Sequence, residues 1–108
     1  MKNGDVYPKA SKELADKSTA LAPEIMEKWS DCRKTVFKDG ALPEKTKQPI
    51  AVAVAHVTQC PDCIRAHTRL AMQKGASREE VMEAIWVAAE MRSGGAFAHS
   101  VIALDEME

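Results

Sequence analysis

The chain has 108 residues, of which 45% are hydrophobic and 29% charged, and its formal net charge is −1. This length fits one domain that spans residues 1–108. A net charge near zero argues against nucleic-acid binding, which needs a surplus of Lys and Arg. Seventeen alanines stand against two tryptophans, two phenylalanines and one tyrosine. Such a composition predicts closely packed helices with few large core side chains, so we expect another subunit to supply part of the burial.

The N-terminal segment, residues 1–8, is polar and is expected to be loosely ordered, with no apolar run that would indicate a signal peptide. No stretch approaches the roughly 18 consecutive apolar residues of a membrane span. We therefore expect a cytoplasmic protein without membrane association. In that reducing compartment three cysteines do not indicate a disulfide framework. Cys32 is expected to be a small buried residue, whereas Cys60 and Cys63 indicate redox or metal chemistry.

The spacing of apolar residues, prolines and glycines predicts an all-α fold of five or six helices. A short helix is expected over residues 11–20, and a second helix with a clear apolar stripe over residues 23–37. A third helix is expected over residues 46–59. If Thr46 is its N-cap, Pro49 lies in the first turn, where the missing N–H costs little. A helix that begins at Pro43 would instead be kinked at Pro49.

The second half of the chain predicts three more helices. One spans residues 61–74 and begins with a proline. Ser77 and Glu80 have the spacing of a capping box, which opens a helix that is apolar on nearly all sides. Such a helix lies at the centre of a fold or between subunits. The segment 93–95, Ser-Gly-Gly, is expected to end it, and a last helix is expected over residues 96–105.

The stretch from Cys60 to His67 carries the residues with reactive side chains. Because Pro61 opens a helix, Cys60 lies at or near the N-cap, Cys63 in the first turn and His67 one turn later. The two cysteines are within disulfide range. The partial positive charge of a helix N-terminus favours thiolates, and His67 can accept the proton of Cys63. The pattern predicts a thiolate that attacks a peroxide and a second thiol that closes a disulfide, which an outside thiol then reduces.

Two other interpretations of the same residues remain open. Cys60, Cys63, His67 and His56 are four possible zinc ligands, although a short bend and one following helix leave little room for a tetrahedral site. The cysteines could also be small core residues beside a surface histidine. Either alternative would make the protein a non-enzymatic zinc-binding or structural oligomer.

The segments KTKQPIAVAVAHVTQCPDCIRAHT (45–68) and GASREEVMEA (75–84) resemble the AhpD-like alkylhydroperoxidases of the carboxymuconolactone decarboxylase superfamily. The segment GGAFAH (94–99) fits the closing helix of that family, and the resemblance covers about residues 42–104. It implies an all-helical fold that assembles as homotrimers or homohexamers, with active sites near the subunit interfaces. It also implies a thiol-dependent peroxidase.

By this resemblance Cys63 attacks the peroxide, Cys60 resolves the oxidised cysteine, and His67 belongs to a proton relay. The relay glutamate of the family stands twelve residues before the first cysteine, and that position is Gln48 here. A glutamine can hydrogen-bond to His67 but cannot take a proton. A second relay histidine, present between the cysteines of some members, is Asp62 here. The relay is therefore either shortened to Cys63 and His67 or rebuilt with another group.

His56, four residues before Cys60, is the candidate for that replacement, and the alternative is a core histidine at a helix end. His99, on the last predicted helix, is a weaker candidate. We predict a peroxidase that reduces hydrogen peroxide or organic hydroperoxides through a Cys60–Cys63 dithiol/disulfide cycle. No cofactor or metal is expected, and the resemblance suggests a thioredoxin-like or lipoyl protein as the electron donor.

A close alternative is a protein disulfide reductase or redox relay that uses the same two cysteines. The absence of the relay glutamate makes this alternative more plausible than it is for a family member with the full motif. The lactone decarboxylation known in the superfamily ranks lower, because that reaction needs no dithiol.

Overall fold

In a computed structural model, residues 11–108 are described, and they form six α-helices and no strand. The helices are α1 Lys12–Leu21, α2 Pro23–Phe37, α3 Glu44–Thr58, α4 Pro61–Gln73, α5 Arg78–Ala98 and α6 Ser100–Glu106. This confirms the predicted all-α class. The expectation for residues 1–8 lies outside the described part. No helix within residues 11–108 combines the length and the apolar character needed to cross a bilayer.

The chain divides into two compact units, one that ends at Asp39 and one that begins at Gly40. The first contains α1 and α2, and neither helix has a buried residue. Cys32 is exposed, so the prediction of a buried Cys32 is wrong. The apolar stripe of α2 has the expected helical spacing, yet its Ile25 and Trp29 are exposed as well. Periodicity defines the apolar face of a helix, but it does not guarantee that the unit containing the helix covers that face.

The second unit packs α3 against α4 and α5. Its core cluster consists of Val52, Ala71, Ala76 and Val81, with Ile85 packed against it. These residues are mostly small, which agrees with the alanine-rich composition and lets the helices approach closely. Large apolar side chains on α5 and α6 remain exposed on this chain, among them Met82, Trp86, Val87, Met91, Phe97, Val101 and Ile102.

Helix α3 begins two residues earlier than predicted. Its N-cap is Pro43, whose carbonyl accepts from the backbone N–H groups of Thr46 at 3.0 Å and Lys47 at 3.1 Å. The expectation of an N-cap at Thr46 is therefore wrong, and Pro49 lies inside the helix. The proline cannot donate to the carbonyl one turn earlier, but the rest of the helix continues past it. The earlier start brings Glu44 into the first turn of α3.

Helix α5 continues through the segment that was expected to end it. Gly94 and Gly95 both lie within α5, which ends at Ala98 with His99 as its C-cap. The reason is that glycine lowers helix propensity by about 1 kcal/mol but keeps its N–H and C=O groups, so the hydrogen-bond ladder can continue. The last helix is correspondingly shorter than the predicted range 96–105.

The two glycine environments give a stability prediction. A Cβ at Gly95 would meet no atom within 4 Å, so Gly95→Ala should stabilise the fold by about 0.5–1 kcal/mol. Gly75 also has only ordinary contacts around it, but its φ is +99°, and Gly75→Ala should destabilise by about 1–2 kcal/mol. Urea unfolding of both variants measures the change. Effects of equal sign at the two positions would contradict the argument.

The N-terminus of α5 has the predicted capping box. The backbone N–H of Glu80 donates to Ser77 Oγ at 3.0 Å, and the backbone N–H of Ser77 donates to Glu80 Oε1 at 2.8 Å. The second bond lowers the pKa of the Glu80 carboxyl, with a further contribution from the Ser77 side chain. The ionised carboxylate is therefore the form that the folded state favours.

This shift predicts a pH-dependent stability contribution from Glu80. Because the folded-state pKa is lowered, the contribution is present above the usual pKa of the carboxyl and is lost as the pH falls through the folded-state value. Glu80→Gln should therefore destabilise at about pH 7 and much less at about pH 3. Urea midpoints of both proteins at the two pH values measure this. Ser77→Ala, which removes the N-cap side chain, should lower the free energy of unfolding by about 1 kcal/mol. If the destabilisation by Glu80→Gln were the same at both pH values, the stabilising role of the Glu80 carboxylate would be refuted.

Candidate active site

The two motif cysteines lie where α3 turns into α4. Gln59 ends α3 in the left-handed conformation, with φ 58°, and the backbone N–H of Cys60 donates to the Ala55 carbonyl at 3.1 Å. Cys60 is the N-cap of α4, and its Sγ accepts from the backbone N–H of Cys63 at 3.3 Å. Both thiols are reduced and half-buried. The sequence placed Cys60 at or near this N-cap, and the structure has it there.

The two thiols divide the ionisation unequally. The Cys63 side chain and backbone N–H both donate to Cys60, and this lowers the pKa of Cys60. The same side-chain hydrogen bond raises the pKa of Cys63, helped by burial and by the negative charges of Cys60 and Asp62. In the resting dithiol the thiolate is thus favoured on Cys60. The sequence argument placed the activated thiolate on Cys63, so an attack by Cys63 requires a base that removes its proton.

His67 is the base that the helix geometry offers to Cys63. It lies four residues further along α4, so the two side chains share one face of the helix. The ring is half-buried, and its Nδ1 lies 2.7 Å from Oε1 of Gln48 on α3. Gln48 is only 1% exposed. The hydrogen bond between Gln48 and His67 that the sequence suggested is therefore present.

Gln48 connects His67 to an ion pair that sequence reasoning missed. Its Nε2 donates to Glu44 Oε2 at 3.1 Å, and Glu44 Oε1 lies 3.3 Å from Lys74 Nζ at the end of α4. The four-residue spacing between Glu44 and Gln48 is a signal that could have revealed the hydrogen bond between their side chains. It was missed because the predicted start of α3 at Thr46 left Glu44 outside the helix.

His56 and His99 lie in other surroundings. His56 Nδ1 is 2.8 Å from the carbonyl of Val52 on its own helix, and the ring lines an open cavity of about 500 Å³ together with Gln59, Pro61, Ile64 and Arg65. His99 is exposed between α5 and α6. Its ring does not enter the hydrogen-bond chain that reaches His67 through Gln48.

Asp62 has an electrostatic effect on the site. It stands between the two cysteines in the first turn of α4, with Oδ1 3.7 Å from Arg65 Nη1. Its negative charge is a minor cause that opposes ionisation of both cysteines, but its backbone N–H stabilises the Cys60 thiolate, and the hydrogen bonds from Cys63 keep the pKa of Cys60 lowered. The charge of Asp62 therefore weakens the effect of those hydrogen bonds without reversing it.

Metal ligation was the main alternative for this site. Within residues 11–108, no group of three or more His, Cys, Asp or Glu side chains is arranged to hold a metal ion. The four candidate zinc ligands, Cys60, Cys63, His67 and His56, are thus not gathered into such a group.

The fold and site define a small all-α protein with a dithiol at a helix N-terminus. The model of the carboxymuconolactone decarboxylase family matches residues 23–106, and the chain belongs to that family. The match includes α2 as well as α3 to α6. The resemblance inferred from the dithiol segment is therefore confirmed.

Two relatives match two thirds or more of the chain. "Uncharacterized protein 4 in cox locus" of Paracoccus denitrificans is 54% identical over 104 residues, which are 94% of this chain and 93% of that protein. An uncharacterized protein of Cupriavidus necator is 36% identical over 72 residues, or 67% of this chain and 64% of its own length.

Solved structures share the fold. A family member from Legionella pneumophila has a TM-score of 0.70 at 35% identity and covers 86% of this chain and 83% of its own. A protein from Methanobacterium thermoautotrophicum has a TM-score of 0.74 at 32% identity and covers 78% and 94%. A family member from Thermotoga maritima, for which a role in the antioxidative response has been suggested, has a TM-score of 0.56 at 26% identity and covers 77% and 95%.

The unequal ionisation of the dithiol gives a direct test. In a Cys32→Ser background, Cys63→Ala removes the thiol that donates to Cys60, so the pKa of Cys60 should rise. Cys63→Ser keeps an O–H donor at the same place, so the pKa should rise less. The ultraviolet absorbance of the thiolate, followed against pH, measures both values. Equal values in the two variants would show that the Cys63 side chain does not lower the pKa.

Proposed function

We propose that the chain is a thiol-dependent peroxidase that reduces hydrogen peroxide or organic hydroperoxides. The observation that carries the proposal is the dithiol at the N-terminus of α4, with a histidine one turn later whose ring is held by Gln48. Membership of the carboxymuconolactone decarboxylase family and the antioxidative role suggested for the Thermotoga relative support it.

The first step is the oxidation of Cys63. As its Sγ attacks one peroxide oxygen, its proton passes to Nε2 of His67, and the O–O bond breaks with its electron pair on the leaving oxygen. That oxygen takes the proton from His67 and leaves as water or an alcohol. Cys63 is then a sulfenic acid, and two electrons have passed from sulfur to the peroxide.

The second step closes the disulfide. The Cys60 thiolate, whose Sγ still accepts from the backbone N–H of Cys63, attacks the sulfenic sulfur, and the hydroxyl group takes a proton from solvent and leaves as water. Overall, one hydroperoxide and two thiols give one alcohol, one water and one disulfide. An external dithiol protein, of thioredoxin-like or lipoyl type, returns Cys60 and Cys63 to the reduced form.

Self-association is part of this proposal. The large apolar side chains that α5 and α6 leave exposed favour assembly, because association would remove them from water. A homotrimer or homohexamer, as the resemblance implies, would cover that surface.

One observation favours a second candidate function. The lowered pKa of Cys60, the first cysteine of the motif and the N-cap of α4, is the arrangement by which dithiol oxidoreductases attack a disulfide. As a disulfide reductase, the protein would use Cys60 as the nucleophile and Cys63 as the resolving thiol, which is the reverse of the peroxidase order.

Single cysteine variants in the Cys32→Ser background distinguish the two functions. For the peroxidase, Cys63→Ser should lower peroxide consumption with a dithiol reductant at least about a hundredfold. Cys60→Ser should stop after one turnover with a sulfenic acid on Cys63, detected by dimedone labelling and mass spectrometry.

The disulfide reductase predicts a different nucleophile. If the protein is a disulfide reductase, Cys63→Ser should instead accumulate a mixed disulfide through Cys60 when a disulfide substrate is added. Peroxide turnover that survives Cys63→Ser would end the peroxidase assignment.

A further inference from the structure

We propose that Glu44 is a positioning residue that sets the proton position on the His67 ring through the side-chain amide of Gln48. The chain of contacts runs from Lys74 through Glu44 and Gln48 to His67, with distances of 3.3, 3.1 and 2.7 Å. The catalytic consequence rests on the proposed peroxidase function. The proton position itself does not, and it can be measured without any peroxide.

The direction of these hydrogen bonds follows from the chemistry of each group. An ionised carboxylate can only accept, so the amide nitrogen of Gln48 must face Glu44. The amide oxygen then faces His67, and because an oxygen of this kind accepts, Nδ1 of His67 must carry the proton. In the neutral ring, Nε2 is therefore the nitrogen with the lone pair, which is the form that can take a proton from Cys63.

Without Glu44, the Gln48 amide would no longer be held in a single orientation. A glutamine amide can present either its oxygen or its nitrogen to the ring, and the two orientations select opposite tautomers. Gln48 is 1% exposed, so water does not readily replace a missing partner for its NH₂ group. An acceptor such as Glu44 is thus needed to keep the amide in one orientation.

The position of Glu44 suits this role. It lies in the first turn of α3, where the helix dipole favours a negative charge, and Lys74 lies next to it. A glutamate at position 48 would place a full negative charge on the ring and favour the imidazolium. The arrangement of Glu44 and Gln48 keeps the charge one helical turn away and presents a neutral oxygen to His67.

The test measures the His67 tautomer in the reduced protein by ¹H–¹⁵N correlation spectra of ¹⁵N-labelled histidine. We expect the Nδ1–H tautomer in the wild type. In Glu44→Ala, and more weakly in isosteric Glu44→Gln, a substantial Nε2–H population should appear. His56 is an internal reference, because its Nδ1 donates to a backbone carbonyl and should not change.

Two further variants separate the acceptor from the ion pair. Lys74→Met removes the cation but leaves the carboxylate, so the tautomer should stay as in the wild type. In the double variant Glu44→Gln/Gln48→Glu, which exchanges the two side chains, a carboxylate faces His67 Nδ1 directly. Because a carboxylate only accepts, Nδ1 should carry a proton again in this variant. In dithiol-coupled peroxide assays, Glu44→Ala should lower kcat by roughly ten- to a hundredfold with little change in KM. The exchange should recover most of this loss only at higher pH, because its carboxylate favours the imidazolium, which has no lone pair to accept the Cys63 proton.

The positioning role of Glu44 and the peroxidase function are tested separately. A pure Nδ1–H tautomer in both Glu44→Ala and Glu44→Gln would overturn the role of Glu44, whatever the enzyme does. A tautomer that shifts as expected in a protein whose peroxide turnover survives Cys63→Ser would support the positioning role and refute the peroxidase.

Discussion

The candidate site depends on the close packing of α3 against α4. Val52 on α3 and Ala71 on α4 are completely buried in the same core cluster, and their small volume lets the two helices approach. One turn before Val52, Gln48 reaches across to His67, nineteen positions away in the chain. A bulkier residue in place of Ala71 would separate the helices, and the hydrogen bond between Gln48 and His67 would be lost with the core contact.

Charge is distributed over this site in a way that keeps the resting dithiol from being fully ionised. The hydrogen bond between the thiols favours a single thiolate on Cys60, and Asp62 opposes further deprotonation of the pair. In the proposed peroxidase, His67 is the proton acceptor that Cys63 needs before it can attack. That function separates two tasks: Cys60 holds the negative charge at rest, and Cys63 becomes nucleophilic only when its proton is taken away.

What the sequence could predict was local. The position of Cys60 at the start of α4 follows from a proline and a three-residue spacing, and the all-α class follows from periodicity. The ion pair of Glu44 with Lys74 could not be found, because it joins the ends of two helices and depends on where α3 begins. The exposure of Cys32 could not be predicted either, because periodicity places it on α2 but does not say whether that unit buries it. The course of α5 was also missed, because its two glycines keep a helical backbone that propensity alone disfavours.

The N-cap of α4 has a thermodynamic consequence for the proposed redox cycle. The sulfur of Cys60 accepts the backbone N–H of Cys63, so in that cycle the atom that caps the helix also exchanges electrons. Whatever stabilises its thiolate stabilises the reduced protein relative to the disulfide. The capping interaction therefore raises the reduction potential of the pair, and a disulfide between Cys60 and Cys63 is a better electron acceptor for an incoming dithiol than one formed at an uncapped position.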